Sequence, residues 1–372
     1  MRLNAPRVPD PADAPALRWG ILGPGWIADE LTTSLRHTKQ EVVAVGSRSS
    51  ERASAFAARH GIDPAHAHGS YEALVADDLV DVVYVATPHS EHHEHALLAI
   101  AAGRHLLVEK AFTATAAQAR AVVDAARAAD VFCMEAMWTR FLPHVDVIRD
   151  ALERGVLGEV LAVHADHGQN LWPVGPRRLA DPRLAGGALL DLGIYPLSFA
   201  HLVLGELELR SVDGELTPEG VDEWVVATLA AAGSPGSRPR LAHVSTSMGV
   251  RTPTTASVCG TWARLDVDGD FYAPSQVRLV GNDGMVLGAW GRAAGTDHGG
   301  LRYQAAELAA RGQPRRAWRT SAYLDTPDLR LARAGLAWRM RREGGRWVQA
   351  LKAARGGALV RFEHEVVRPD AS

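Results

Sequence analysis

Three side chains have the types and spacing for proton transfer. Lys110 follows Glu109 at the end of an apolar run, and Asp191 precedes Tyr195 by four residues. On a helix, positions four apart share one face, so a carboxylate and a phenol would stand side by side. A lysine near such a pair can hydrogen-bond a ribose or lower the pKa of a neighbouring acid. Placing Asp and Tyr together in a mainly apolar segment is costly unless they face a polar ligand. Plainer readings stay open at this point: a surface Glu–Lys pair, an acid at a helix N-terminus, an amphipathic core tyrosine.

A second set of residues suits a dinucleotide. Arg18 to Ala28 reads Arg-Trp-Gly-Ile-Leu-Gly-Pro-Gly-Trp-Ile-Ala. Gly23 allows a tight turn out of a strand, Gly25 lets backbone amides approach phosphates, and Ala28 is small enough for close helix–sheet packing. Trp26 and Ile27 open the helix, whose unpaired N–H groups and positive dipole end favour an anion. About 20 residues on, where an NAD enzyme places an acid for the ribose 2′-OH, the chain has Ser47 and Arg48. That pair suits a 2′-phosphate, hence NADP with NAD as the alternative; Arg48 is otherwise a solvated loop residue. Thr87-Pro88-His89-Ser90-Glu91-His92 lies at the carboxyl end of a third strand, where ligands of open α/β sheets sit. Its histidines invite a metal reading, but no separate acid or thiol cluster completes a site, so no metal is expected.

These groups need a framework that brings them together. Strands at Trp19–Leu22, Glu41–Gly46, Val80–Ala86, His105–Val108 and Val131–Met134 alternate with helical segments, the pattern of βαβ units on a parallel, doubly wound sheet. After about residue 150 strands dominate, with helices only at Leu189–Leu204 and Arg302–Ala310, which predicts an α+β domain on a large, mostly antiparallel open sheet. The division expected is a disordered leader over 1–16, a Rossmann domain over 17–140, a substrate and dimerisation domain over 141–310, and an atypical basic tail over 311–372. That tail holds 14 Lys/Arg against 6 Asp/Glu, while the rest holds 26 against 37. Leu329–Met340 reads as a helix within it.

Bulk properties narrow the class. The 372 residues are 47% hydrophobic and 22% charged, the composition of a soluble globular protein. No apolar run is expected to span a membrane, and a net charge of −3 gives no reason to expect nucleic acid. Two cysteines, Cys133 and Cys259, argue against a disulfide framework and suit a reducing cytoplasm.

Taken together, the glycine motif, Thr87-Pro88-x-x-x-His92, Glu109-Lys110 and Gly186-Gly187-x-x-x-Asp191-x-Gly193-x-Tyr195 resemble the glucose–fructose oxidoreductase / inositol dehydrogenase / MocA family over about residues 17 to 310. Glu135 to Phe141 and Tyr195 are similar to its dihydrodiol dehydrogenase and NADP-xylose dehydrogenase branch; inositol dehydrogenases usually carry His in place of Tyr195. The resemblance implies an oxidoreductase moving a hydride between NADP and a hydroxyl or carbonyl carbon of a sugar, polyol or cyclic vicinal diol. The alternatives kept are an NAD-dependent inositol- or amino-sugar-type dehydrogenase and a non-catalytic NADP-binding regulator. It also implies Lys110, Asp191 and Tyr195 as the catalytic set, with Tyr195 taking the hydroxyl proton. Trp138 and Arg140 join the cofactor-binding residues, and a homodimer or higher homo-oligomer is expected. Two departures stand out. Ala111 occupies the place of the family's proline after Glu-Lys. The sequence beyond Glu307 departs from the usual charged C-terminal helix, which points to a shifted reading frame or a divergent tail.

Overall fold

The computed structural model describes residues 2–231, 238–291 and 298–312, and beyond these only the backbones of 321–324, 336–343, 346–354 and 361–368. Six parallel strands form the first sheet: β1 (Arg18–Leu22), β2 (Glu41–Gly46), β3 (Ala67–His68), β4 (Val82–Val85), β5 (His105–Glu109) and β6 (Cys133–Ala136). Their order is β3-β2-β1-β4-β5-β6, the doubly wound arrangement in which ligands bind beyond the strand carboxyl ends where the order reverses. That switch point lies between β1 and β4, so the turn after β1 and the loop after β4 face one crevice. Val82–Val85 is buried at every position, as expected for a parallel strand covered on both faces.

The helices between these strands are set by local chemistry. They are α1 (Trp26–Leu35), α2 (Ser50–His60), α3 (Tyr71–Val75), α4 (His92–Ala101) and α5 (Ala116–Ala128). Ser49, Ser70 and Thr115 cap α2, α3 and α5 with their side-chain oxygens. Gly61 ends α2 in the left-handed region at φ 74°. Two elements, β3 and α3, are too short to show periodicity in the sequence and were not expected.

After α6 (Pro143–Glu153) the chain enters the second sheet with β7 (Val160–Gly168). A π-helical turn, Leu189–Gly193, then leads into α7 (Ile194–Leu204). Seven more strands follow: β8 (Leu207–Leu216), β9 (Asp222–Ala231), β10 (Leu241–Ser247), β11 (Ala256–Gly260), β12 (Ala263–Val267), β13 (Val277–Gly281) and β14 (Val286–Trp290). The order is β14-β13-β12-β11-β7-β10-β9-β8, antiparallel except for β7 beside β10. Helix α8 (Leu301–Gly312) returns toward α1, where the Ser34 hydroxyl donates to Gly299 O and accepts from Arg302 N. One buried apolar cluster runs from Ile21 and Tyr84 through Met137 and Trp138 to Tyr195, Phe199 and Phe271. It joins both sheets, so the site residues they carry are held in register.

Three expectations need correction. The leader is seated rather than disordered: Arg7 pairs with Asp146 and Glu153 of α6, and Asn4 donates to Asp150. Pro182–Leu204 is long and apolar enough, by length and composition, to cross a membrane. Here it packs inside the protein, with Tyr195, Phe199, Ala200 and Leu204 buried. In the tail, Leu336–Met340 belongs to a strand and not a helix, while 325–335 lie outside the described residues. Residues 313–372 form a separate unit containing β15 (Ser321–Leu324), β16 (Leu336–Glu343), β17 (Arg346–Ala354) and β18 (Arg361–Arg368), an antiparallel sheet in chain order.

Candidate active site

A cavity of about 610 Å³ opens at the carboxyl ends of β1, β4 and β5 and is closed on its far side by the second sheet. At its dinucleotide end, Gly23 has φ 97°, and a Cβ there would meet Ala86 O and Thr87 Cγ2 at 3.0 Å. Only glycine fits this turn. Gly25 caps α1 without a side chain, and a Cβ on it would project into open space. The first N–H groups of α1 are therefore uncovered, which fits a pyrophosphate. Ala28 is fully buried, where close helix–sheet packing needs a small residue. Ser47, Arg48 and Arg52 line the same end. Arg48 reaches Glu91 at 3.6 Å, and the Ser47 hydroxyl accepts from Ser49 N at 3.2 Å. Two guanidinium groups and a hydroxyl at this end fit a 2′-phosphate, with Glu91 the acid that Arg48 would exchange for it.

At the other end, Lys110 Nζ donates to Asp191 O at 2.6 Å and stands 3.4 Å from Asp191 Oδ1. It also lies 5.2 Å from the centre of the Tyr195 ring. Arg178 donates to Asp191 Oδ1 at 3.1 Å, and His89 Nε2 is 3.7 Å from the same oxygen. Burial works against the Asp191 carboxylate, but Lys110, Arg178 and His89 outweigh it and hold the group well below the usual carboxylate range. Burial likewise opposes the Lys110 ammonium, and Asp191 with Tyr195 and Glu109 more than compensates, so it stays charged. Tyr195 accepts a hydrogen bond from Trp138 Nε1 at 3.3 Å. Burial raises its phenol, and Lys110 offsets only part of that rise. The resting site therefore holds a charged lysine, a charged aspartate and a neutral phenol.

Behind this layer a brace fixes Lys110. Glu109 accepts from the Tyr84 hydroxyl and from Lys110 N, and burial pushes its carboxyl up to about 7. Ala111 occupies the family's proline position, yet the loop is held: the buried His92 ring sits between Ala111 O and Thr87 O, with a ring nitrogen 2.8 Å from each, and donates to one of them. His92 thus ties the loop after β4 to the loop after β5.

Residues 17–137 match the model of an oxidoreductase family with an NAD-binding Rossmann fold, and 145–266 match the GFO/IDH/MocA C-terminal domain. The chain belongs to the GFO/IDH/MocA family. It is 38% identical to trans-1,2-dihydrobenzene-1,2-diol dehydrogenase of Bos taurus over 271 residues, covering 72% of this chain and 78% of that one. It is 36% identical to D-xylose 1-dehydrogenase (NADP(+)) of Hypocrea jecorina over 289 residues, covering 73% and 71%. A solved structure of KijD10, a 3-ketoreductase from Actinomadura kijaniata with NADP and TDP-benzene, superposes with a TM-score of 0.69. The two are 28% identical, covering 81% of this chain and 92% of that one.

Most of the residues singled out from sequence converge in this GFO/IDH/MocA member. Gly23, Gly25, Trp26, Ile27, Ser47, Arg48, Thr87, Pro88, His89, Glu109, Lys110, Trp138, Asp191 and Tyr195 all line the cavity. Ala28 and His92 lie behind it as packing and bracing residues. Arg140 is not in the lining; its turn, Trp138–Phe141, directs Trp138 inward instead. Sequence reasoning missed Arg52, His167, Gln169, Arg178, Tyr272 and His298. None sits in a motif, and only the spacing of Arg52 after Arg48, one helical turn on, carried a signal.

One group among the described residues has metal-ligand chemistry: His66, His68 and Asp77, away from the cavity. Their rings reach Asp77 Oδ2 at 2.6 and 2.8 Å. Ligands of a tetrahedral ion at roughly 2.0–2.1 Å would stand roughly 3.3 Å apart. The spacing is that of imidazole N–H donors on a shared carboxylate, a clamp between the β3 edge and the loop after α3.

Proposed function

We propose that this protein is an NADP-dependent oxidoreductase acting on a hydroxyl or carbonyl carbon of a sugar, polyol or cyclic vicinal diol. The observation that carries it is the meeting, in one cavity, of the uncapped α1 N-terminus and the Lys110–Asp191–Tyr195 cluster. Gly23 to Ile27 would hold the pyrophosphate and Ser47, Arg48 and Arg52 the 2′-phosphate. When bound, NADP supplies the hydride acceptor or donor. Tyr195 is the proton carrier at the reacting oxygen. Its neutral resting form is ready to give a proton to a carbonyl, so oxidation of a hydroxyl needs the phenol to lose its proton first and is favoured at alkaline pH. Lys110 stabilises the ionised phenol, and Asp191 accepts hydrogen bonds from substrate hydroxyls while anchoring Lys110.

The named activities of the bovine and fungal relatives and the NADP bound to KijD10 support this reading. A screen of sugars, polyols and cyclic diols, followed by reduced-nicotinamide absorbance with NADP and with NAD, tests it. Turnover of at least one class with NADP is expected; tight NADP binding with no turnover across the panel would favour a regulatory role. We further propose a homodimer through the open face of the second sheet, where Thr228, His243, His164 and Ser257 form one register row. Light scattering of the purified protein checks this. Its two unpaired cysteines support residence in a reducing cytoplasm, testable by fractionation.

A further inference from the structure

Beside Tyr195 the cavity wall carries His167, Gln169 and Tyr272, which the reading above leaves without a role. The His167 ring stacks on Tyr272 with centroids 4.3 Å apart and meets Tyr195 edge-on at 5.2 Å; Tyr272 lies 4.9 Å from Tyr195. A second oxygen of a small substrate whose reacting oxygen is at Tyr195 falls within reach of this wall.

The hydrogen-bond roles follow in sequence from one backbone carbonyl. His167 Nδ1 stands 3.2 Å from Leu192 O, which can only accept, so Nδ1 carries the proton. In the neutral ring Nε2 is then an acceptor, and it faces the Gln169 side chain at 3.0 Å. Gln169 must therefore present its NH2 there, which fixes the amide orientation. The same NH2 donates to the Tyr272 hydroxyl oxygen at 3.2 Å. Both amide protons are thereby used. Among the described residues, Gln169 Oε1 has no donor and the Tyr272 O–H no acceptor. Burial keeps His167 neutral by pushing it down to about 3, and keeps the Tyr272 phenol protonated by pushing it up to about 12. The backbone is pinned as well: Gln169 N donates to Ser247 O at 3.0 Å, and Tyr272 O accepts from the Thr139 hydroxyl at 2.6 Å.

We propose that Gln169 Oε1 and the Tyr272 O–H form a matched acceptor and donor for a non-reacting hydroxyl of the substrate, with His167 as the residue that orients them. A hydroxyl both donates and accepts, so it satisfies the pair at once, whereas a methylene leaves two polar groups unmet. The pair selects a substrate with a second hydroxyl next to the reacting carbon over an isolated alcohol. This inference rests on the oxidoreductase reading for which oxygen is the reacting one.

The test compares wild type with Tyr272→Phe and Gln169→Leu. Each is loaded with NADP and titrated calorimetrically with trans-cyclohexane-1,2-diol and with D-xylose, each beside the analogue lacking one adjacent hydroxyl. Tyr272→Phe keeps the stacked ring and removes only the hydroxyl. Its expected effect is roughly two- to thirteen-fold weaker diol binding, with KM moving by the same factor and kcat little changed. The deoxy analogues and NADP should bind as before. Equal losses for diol and deoxy analogue, or none for either, would overturn the proposal. Selective loss of diol binding in an enzyme that never turns over would uphold the pair and overturn the hydride-transfer reading instead.

Discussion

Substituting Arg48 by alanine should weaken NADP binding while leaving NAD nearly unchanged. The Arg48 side chain is 73% exposed and already paired with Glu91 at 3.6 Å, so binding a 2′-phosphate exchanges one partner for another. A charge-assisted hydrogen bond contributes about 1.5–3 kcal/mol, and an exposed ion pair given up costs roughly 0.2–1 kcal/mol. The difference, about 0.5–2.8 kcal/mol, corresponds to roughly two- to a hundred-fold in Kd. Fluorescence titration of wild type and Arg48→Ala with both nucleotides measures it. Raising the salt should shrink the gap, because the group is open to solvent. Glu91→Gln frees Arg48 from its competitor and should tighten NADP by up to about five-fold. Equal weakening of NAD and NADP in Arg48→Ala would refute the assignment, since NAD has no 2′-phosphate to lose.

Two further perturbations probe the other end of the cavity and its frame. Lys110→Met should lower turnover by about 10²–10⁴, because the phenol loses its cationic support. Stability should fall by only about 1–3 kcal/mol, less than for a fully orphaned buried charge, since Arg178 still holds Asp191 at 3.1 Å. Steady-state rates and urea unfolding read the two effects, and near-normal turnover would contradict the role given to Lys110. For pH, burial depresses His144 to about 4 and His167 to about 3. Their contribution to stability is complete above their unfolded value of about 6.5 and is lost as pH falls toward about 3–4. Glu109 acts in the opposite sense. Its folded value of about 7 lies above the ordinary 4.5, so its contribution is complete below 4.5 and is lost as pH rises through 7. The histidines together outweigh the single carboxyl, so urea midpoints should climb from acid pH to about pH 7 and level off above it; a flat profile would contradict this burial pattern.

Much of this site was legible because its residues obey local rules. Gly23, Gly25 and Ala28 are dictated by turn and packing sterics, and the valine-rich strands announce a parallel sheet. Asp191 and Tyr195 are four apart, and the π-helical turn between them leaves both facing the cavity. Arg178, His167, Gln169 and Tyr272 could not be read in this way. They reach the cavity from a loop, a strand and its end, and the connection between β12 and β13, and only the register of the second sheet brings them together. The leader was misjudged for a similar reason. Its prolines and alanines carry no periodicity, and what seats it is the long-range pairing of Arg7 with α6.

Tyr195→Phe tests the central claim most directly. The ring still packs against Tyr272 and His167, so the fold and NADP affinity should persist, while the proton carrier at the reacting oxygen is gone. Turnover on the best substrate found for the wild type is expected to fall by about 10²–10⁴. Near-normal turnover with unchanged NADP binding would contradict the assignment of Tyr195 and, with it, the mechanism built on this cavity.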